Sequence, residues 1–234
     1  SPQYCLNKGI NCMKKALITG GATGIGRACA LLFSQKGYDV YTTYNKSVPD
    51  IDCATAVKCD LKNLDDIKNL FDTVGSVDVL VNNAGVSLIK MINDVTPEDY
   101  ETITSVNERA VYFCSKYAAL SMIKKHSGAI INVSSMWGQC GASCETLYSM
   151  TKSAVIGLTK ALSQELAPSG ITVNCVAPGI IDTRMNECFD KNELAEQVPL
   201  GRFGTPNEIA SAVLFFAENP YVTGQILGVN GGIV

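Results

Sequence analysis

The sequence predicts an α/β fold, a doubly wound parallel β-sheet flanked by helices on both faces, and three observations predict it. Short apolar runs bounded by turn residues alternate with longer amphipathic stretches, the pattern of βαβ units. A glycine cluster, Gly20 to Gly26, falls between the first apolar run and the first amphipathic stretch, where a strand-to-helix turn belongs. No repeat or long linker interrupts the 234 residues, a length that one domain can carry.

The elements follow in order. Ala16 to Thr19 reads as the first strand, the glycine turn comes next, and a helix bearing Ala30, Leu31 and Phe33 stops at Gly37. Tyr38 to Thr43 and Ala54 to Cys59 are the second and third strands, with a helix from about Asn63 to Val74. Val77 to Val81 is the fourth strand and ends in Asn82-Asn-Ala-Gly85. Thr96 as N-cap and Pro97 at the first helical position start a long helix that runs to about Lys125. Ala129 to Val133 is the fifth strand, and a helix carrying Tyr148 follows it and ends near Pro168-Ser-Gly170. Ile171 to Val176 is the sixth strand. A polar stretch from Asp182 to Gly204 leads to a helix over Pro206 to Ala217, and Gln225 to Val229 is the last strand.

Composition narrows the function. With 47% hydrophobic residues and a net charge of -3, the chain reads as a soluble globular protein with no electrostatic case for nucleic acid or an anionic membrane. No apolar run reaches the ~20 residues a spanning helix needs. Residues 1-12 read as an irregular extension or remnant ahead of a domain over 13-234, with Met13 the expected natural start. They lack the basic end and apolar run of a secretory signal, so a cytoplasmic location is expected. The ten cysteines contain no Cys-x-x-Cys pair and His126 is the single histidine, which argues against a zinc site; reduced thiols fit a cytosol.

Tyr148 and Lys152 carry the chemistry. Four residues apart on a helix, they share a face and can reach one substrate atom. A phenol titrates near pH ~10, and a neighbouring cation is expected to draw it toward neutrality, giving an acid/base for a carbonyl or alcohol oxygen. A packed ring beside a solvated amine is the ordinary meaning of that spacing. The glycine cluster points further, because glycines let a backbone approach a pyrophosphate and a helix N-terminus offers it unpaired N-H groups.

Taken together, TGGATGIG, the NNAG of Asn82 to Gly85, Asn107, Ser135, Tyr148 with Lys152, and Pro178-Gly179 resemble the classical short-chain dehydrogenases/reductases over Met13 to Val234. The chain looks most similar to the 3-oxoacyl-(acyl-carrier-protein) reductases among them. The resemblance implies a Rossmann-type sheet and a catalytic set of Asn107, Ser135, Tyr148 and Lys152. Tyr148 would exchange the proton, Lys152 would lower its pKa and hold the nicotinamide ribose, and Ser135 would bind the substrate oxygen. Asn107 would anchor a water feeding protons to the lysine. Gly20, Gly24, Ile25 and Gly26 would line the pyrophosphate, with Thr23 in the same turn also expected at the cofactor, and Asp60 and Leu61 the adenine. Asn83, Ala84 and Gly85 would line the adenosine-side ribose and the path to the nicotinamide, whose carboxamide Ile181 and Thr183 would meet, after Pro178 and Gly179, also expected at the cofactor.

The second strand ends in Tyr44, Asn45, Lys46 and Ser47, without the carboxylate that binds a ribose 2′-hydroxyl, so NADP(H) is expected over NAD(H). Thr23 stands where many NADP-preferring relatives carry an arginine. Pocket walls are expected from Met136 to Thr146, with Trp137, Gln139 and Cys140, and from Thr183 to Val198, with Met185 and Phe189. The implied substrate is a ketone or acyl thioester, and Lys124, Lys125 and His126 could face an acyl carrier protein, although Ser169 stands where those reductases often place an arginine. A homotetramer is implied as well. A sugar, polyol or hydroxysteroid dehydrogenase is the alternative within the family; a non-catalytic nucleotide-binding sensor or scaffold is the alternative of another class.

Overall fold

The computed structural model describes residues 13-46, 48-183 and 191-234. Seven parallel strands make one sheet: β1 (Lys15–Ile18), β2 (Asp39–Tyr44), β3 (Thr55–Lys58), β4 (Val79–Asn82), β5 (Gly128–Val133), β6 (Ile171–Pro178) and β7 (Ile226–Val229), in the order β3-β2-β1-β4-β5-β6-β7. Helices α1 (Gly24–Gln35) and α8 (Pro206–Glu218) cover one face, with Phe33 and Phe216 fully buried between them and the sheet. Helices α2 (Leu64–Val74) and α4 (Ala110–Lys125) cover the other through Ile67, Leu70, Cys114 and Met122. Strands covered on both faces need apolar residues at consecutive positions, and all eight residues of β6 are buried.

Strand order reverses between β1 and β4, which pair in the register Ala16 to Val79. Connections leave these neighbours in opposite directions and open a crevice at their carboxyl ends. The glycine turn after β1 and the Asn82 to Gly85 turn after β4 meet there.

The remaining helices set the opposite wall. Thr96 caps α3 (Pro97–Thr104) as expected: its Oγ1 accepts from the Asp99 N-H at 3.2 Å, and Asp99 Oδ2 accepts from the Thr96 N-H at 3.0 Å. The helix expected to run unbroken to Lys125 instead passes through a π-helical turn, Ser105–Arg109, before α4. Asn107 sits in that turn, whose one extra residue lets its amide face inward, a device frequent at functional sites. Helix α6 (Thr146–Leu166) carries Tyr148 and Lys152.

Two short helices had no periodic signal: α5 (Trp137–Cys140), at four residues, and α7 (Lys191–Glu196), at six. Strand β6 also runs two residues past its expected end. Pro178 closes it because the pairing with Val229 needs no N-H there, and the Pro178 carbonyl accepts from the Met136 N-H at 2.8 Å. Residues 1-12, Ser47, Met185 and Phe189 lie outside the described residues. Among those described, no helix is long and apolar enough to cross a membrane.

Candidate active site

A groove of about 750 Å³ runs along the carboxyl ends of the strands, from Asp60 and Leu61 past the glycine turn to Ser135, Tyr148 and Lys152. Threonines build the turn's backbone. The Gly20 N-H donates to Thr43 Oγ1 at 3.0 Å and the Gly21 N-H to Thr42 Oγ1 at 2.8 Å, while Thr42 Oγ1 donates to the Ile18 carbonyl at 2.9 Å. Gly20 takes φ +68° and Gly24 +53°, which favour glycine. A Cβ on Gly26 would stand 2.3 Å from the Gly20 carbonyl oxygen, so the residue is glycine to let α1 seat against the turn. At the helix start Thr23 makes no side-chain cap and no acid occupies the first turn. The orphan N-H groups and the positive end of α1 therefore face the groove, as a pyrophosphate requires.

The second turn is fastened to the first. Thr19 Oγ1 accepts from the N-H groups of Asn83 and Ala84, both at 3.1 Å, and Asn83 Nδ2 donates to the carbonyls of Thr19 at 3.0 Å and Gly20 at 3.2 Å. Gly85 keeps the path open toward the reacting end, since a Cβ there would lie 3.2 Å from Lys152 Nζ.

At the far end the groove reaches the tyrosine and lysine. Lys152 is 4% exposed, its Nζ donates to the Val133 carbonyl at 3.0 Å, and it lies 5.7 Å from the centroid of the Tyr148 ring. Burial lowers its pKa to about 8. Tyr148 is 8% exposed, and burial pushes its pKa up to about 12; a hydrogen bond with Ser135 works against that rise and the charge of Glu145 adds to it. The expected acidification is therefore corrected. Desolvation penalises the charged forms of both groups, and it is the first cause of each displacement.

The family follows from comparison with known proteins. A family model described as Enoyl-(Acyl carrier protein) reductase matches residues 20–234. A 3-oxoacyl-[acyl-carrier-protein] reductase of Synechocystis sp. is 37% identical over 237 residues, covering 94% of this chain and 96% of that protein. The chain belongs to the short-chain dehydrogenase/reductase family. Membership makes it an NAD(P)-dependent oxidoreductase. Among solved structures, a short chain dehydrogenase/reductase family protein superposes with a TM-score of 0.89 at 33% identity, covering 94% of this chain and 96% of its own. ElxO with NADP bound gives 0.87 at 33% identity, covering 94% and 98%.

Most residues expected from the short-chain dehydrogenase/reductase pattern meet on this groove: Gly20, Thr23, Gly24 and Ile25 at one side, Tyr44, Asn45, Asp60 and Leu61 at one end, then Asn83, Ala84 and Gly85. Pro178, Gly179, Ile181 and Thr183 form the wall opposite, and Ser135, Tyr148 and Lys152 close it. Gly26, Lys46 and Asn107 do not line it. Gly26 is buried beneath the turn, and Lys46 is exposed beyond the groove. Asn107, fully buried, accepts on Oδ1 from the Val86 N-H at 2.9 Å and donates through Nδ2 to the Val86 carbonyl at 2.9 Å and Thr151 Oγ1 at 3.1 Å. Its side chain thus clamps the loop after β4 to α6. Lys125, placed in sequence with a carrier-binding patch, spends its ammonium on Asp78 at 2.6 Å and the Val77 carbonyl at 3.1 Å.

Sequence reasoning missed the supports. Thr42 and Thr43 fell within the second expected strand and Thr19 at the head of the glycine motif with no supporting role, and the hint available was polarity at the close of an apolar run. Ser134, which no motif singles out, donates through its Oγ to the Lys152 carbonyl at 2.7 Å and fixes α6 against β5. Lys62 was also overlooked, and it lines the groove beside Asp60 and Leu61.

Proposed function

We propose that this chain is an NADP(H)-dependent ketoreductase that reduces a 3-oxoacyl thioester to the 3-hydroxyacyl thioester. The observation that carries the reading is a buried phenol, hydrogen-bonded with Ser135, at the end of a groove shaped for a dinucleotide. When bound, the nicotinamide supplies a hydride to the carbonyl carbon. Ser135 and Tyr148 present two hydroxyls to one oxygen and stabilise the charge that grows on it. Lys152 adds a nearby cation in a water-poor site, where its field is strong. Tyr148 then gives its proton to that oxygen.

Burial suits this direction. A phenol held up to about 12 is the protonated donor at every working pH, whereas oxidation would start from the phenolate that burial disfavours. A ketone fits better than the carbon–carbon double bond that an enoyl reductase saturates, because both hydroxyls address an oxygen and that reaction protonates a carbon. NADP(H) is supported by Asn45 and Lys62 on the adenine end, by the absence of an acid at Tyr44 to Lys46, and by the NADP bound to ElxO.

Location and assembly complete the reading. The seven described cysteines are free thiols, which suits the cytoplasm. An apolar surface on α4 and α6, with Tyr112 and Phe113, supports packing of further copies into a homotetramer. Exposed Lys124 and His126 remain for an acidic carrier protein.

The test is a panel of acetoacetyl thioester, crotonyl thioester, sugar and steroid ketones, followed by NADPH absorbance. Turnover of the acetoacetyl thioester well above the others is expected. Preferential turnover of the crotonyl, sugar or steroid compound would replace the reading.

A further inference from the structure

A buried hydroxyl ties helix α6 to the loop after β4. Thr151 lies between Tyr148 and Lys152 in the sequence, is fully buried and does not line the groove. Its Oγ1 donates to the Tyr148 carbonyl at 2.8 Å and accepts from Asn107 Nδ2 at 3.1 Å. Asn107 carries the link onward: its Nδ2 donates to the Val86 carbonyl and its Oδ1 accepts from the Val86 N-H, both at 2.9 Å.

The polarity of this link is fixed from end to end. A carbonyl oxygen only accepts, so Thr151 spends its one proton on Tyr148 and leaves its lone pairs for a donor. Asn107 must therefore turn its amino group toward Thr151, which leaves its oxygen for the Val86 N-H. The loop held in this way is part of the groove. Gly85 and Val86 line it, and Val86 also packs against the cluster of Ile103, Leu147 and Tyr148. A Cβ on Gly85 would stand 3.2 Å from Lys152 Nζ and 3.4 Å from Asn107 Oδ1, so the ammonium and the amide flank one glycine.

We propose that Thr151 is a positioning residue for hydride and proton transfer: through Asn107 it sets the spacing between the groove loop at Gly85 and Val86 and the turn of α6 that carries Tyr148 and Lys152. The proposal rests on the ketoreductase reading above. The proton comes from α6, and the hydride comes from a cofactor lying along the loop, so an error in their spacing spoils two deliveries to one carbonyl. A misplacement of about 1 Å can slow such a step by about 10². Thr151 touches neither substrate nor cofactor and acts only through Asn107.

Thr151→Val keeps the shape and removes the hydroxyl, and Thr151→Ser restores it. A single turnover, read as NADPH absorbance after mixing with acetoacetyl thioester, times the transfer apart from product release. Thr151→Val should slow transfer about tenfold, with Kd for NADPH by fluorescence titration within about twofold of wild type. Thr151→Ser should recover most of the wild-type rate. A hydroxyl with a purely structural role would lower the melting temperature of Thr151→Val and leave transfer unchanged, and that result overturns the proposal. So does a folded Ser variant as slow as the Val variant, which would trace the effect to packing. Where Thr151→Val does not fold, Thr151→Cys decides: a thiol donates and accepts weakly, so transfer slower than in Thr151→Ser supports the proposal and equal rates overturn it. A wild type that leaves NADPH unconsumed with the acetoacetyl thioester would instead sink the ketoreductase reading, and this inference with it.

Discussion

The two ends of the groove are built by different means. At the cofactor end, backbone does the binding: Gly20 and Gly21 are held by Thr43 and Thr42, and Thr19 ties the turn at Asn83 to the turn at Gly20. At the reacting end, side chains do it, and their behaviour depends on burial. Tyr148 and Lys152 have pKa values displaced in opposite directions by one cause, the loss of water. A phosphate cradle tolerates only geometric change, whereas the acid corner can be retuned by altering charge with little change of shape.

The largest expected effect breaks the reacting end alone. Tyr148→Phe removes the proton donor, and kcat for ketone reduction should fall by about 10²–10⁴ with NADPH affinity nearly unchanged by fluorescence titration. An unaltered rate would mean that another group supplies the proton.

Lys152→Met tests the burial of charge. A lysine at about 8 in the folded protein and ~10.4 when unfolded binds fewer protons folded than unfolded between those values, so it makes wild-type stability rise with pH across that window. The slope is at most roughly 1.4 kcal/mol per pH unit. The stability difference between wild type and Lys152→Met, measured by urea melts, should grow in favour of wild type from pH 8 to 10. Tyr148 opposes this above pH 10, where the unfolded phenol releases the proton that the folded one keeps to about 12.

Gly26→Ala strikes the cofactor end. Its Cβ would meet the Gly20 carbonyl oxygen at 2.3 Å, so α1 must shift, costing about 1–3 kcal/mol of stability and weakening NADPH binding. The smallest effect sharpens the boundary of that end: Lys62→Ala should raise KM for NADPH a few-fold and leave NADH nearly unchanged, with Lys46→Ala neutral for both. Equal effects from the two lysines would put Lys46 back at the 2′-phosphate.

These contrasts explain what was legible in the sequence. The cofactor end announces itself because glycines are required by steric limits at fixed spacing, as at Gly20 and Gly26. The pairing of Tyr148 with Lys152 was visible from helical period alone. The sign of the Tyr148 shift was not, because it depends on walls contributed by β5 and the loop after β4. Asn107 was found, but its clamp on Val86 needed the π turn, which leaves no periodic trace. Lys46 is adjacent in sequence to the strand end, and Lys62 is adjacent in space; nothing local distinguishes them.

The account rests on an acid kept protonated by burial, and titration of that phenol measures it most directly. The near-ultraviolet tyrosinate band, followed from pH 7 as the difference between wild type and Tyr148→Phe, should show no Tyr148 ionisation until the pH approaches about 12 in the free protein. Ionisation near neutrality would contradict the account and return the lysine to the role of lowering the phenol's pKa.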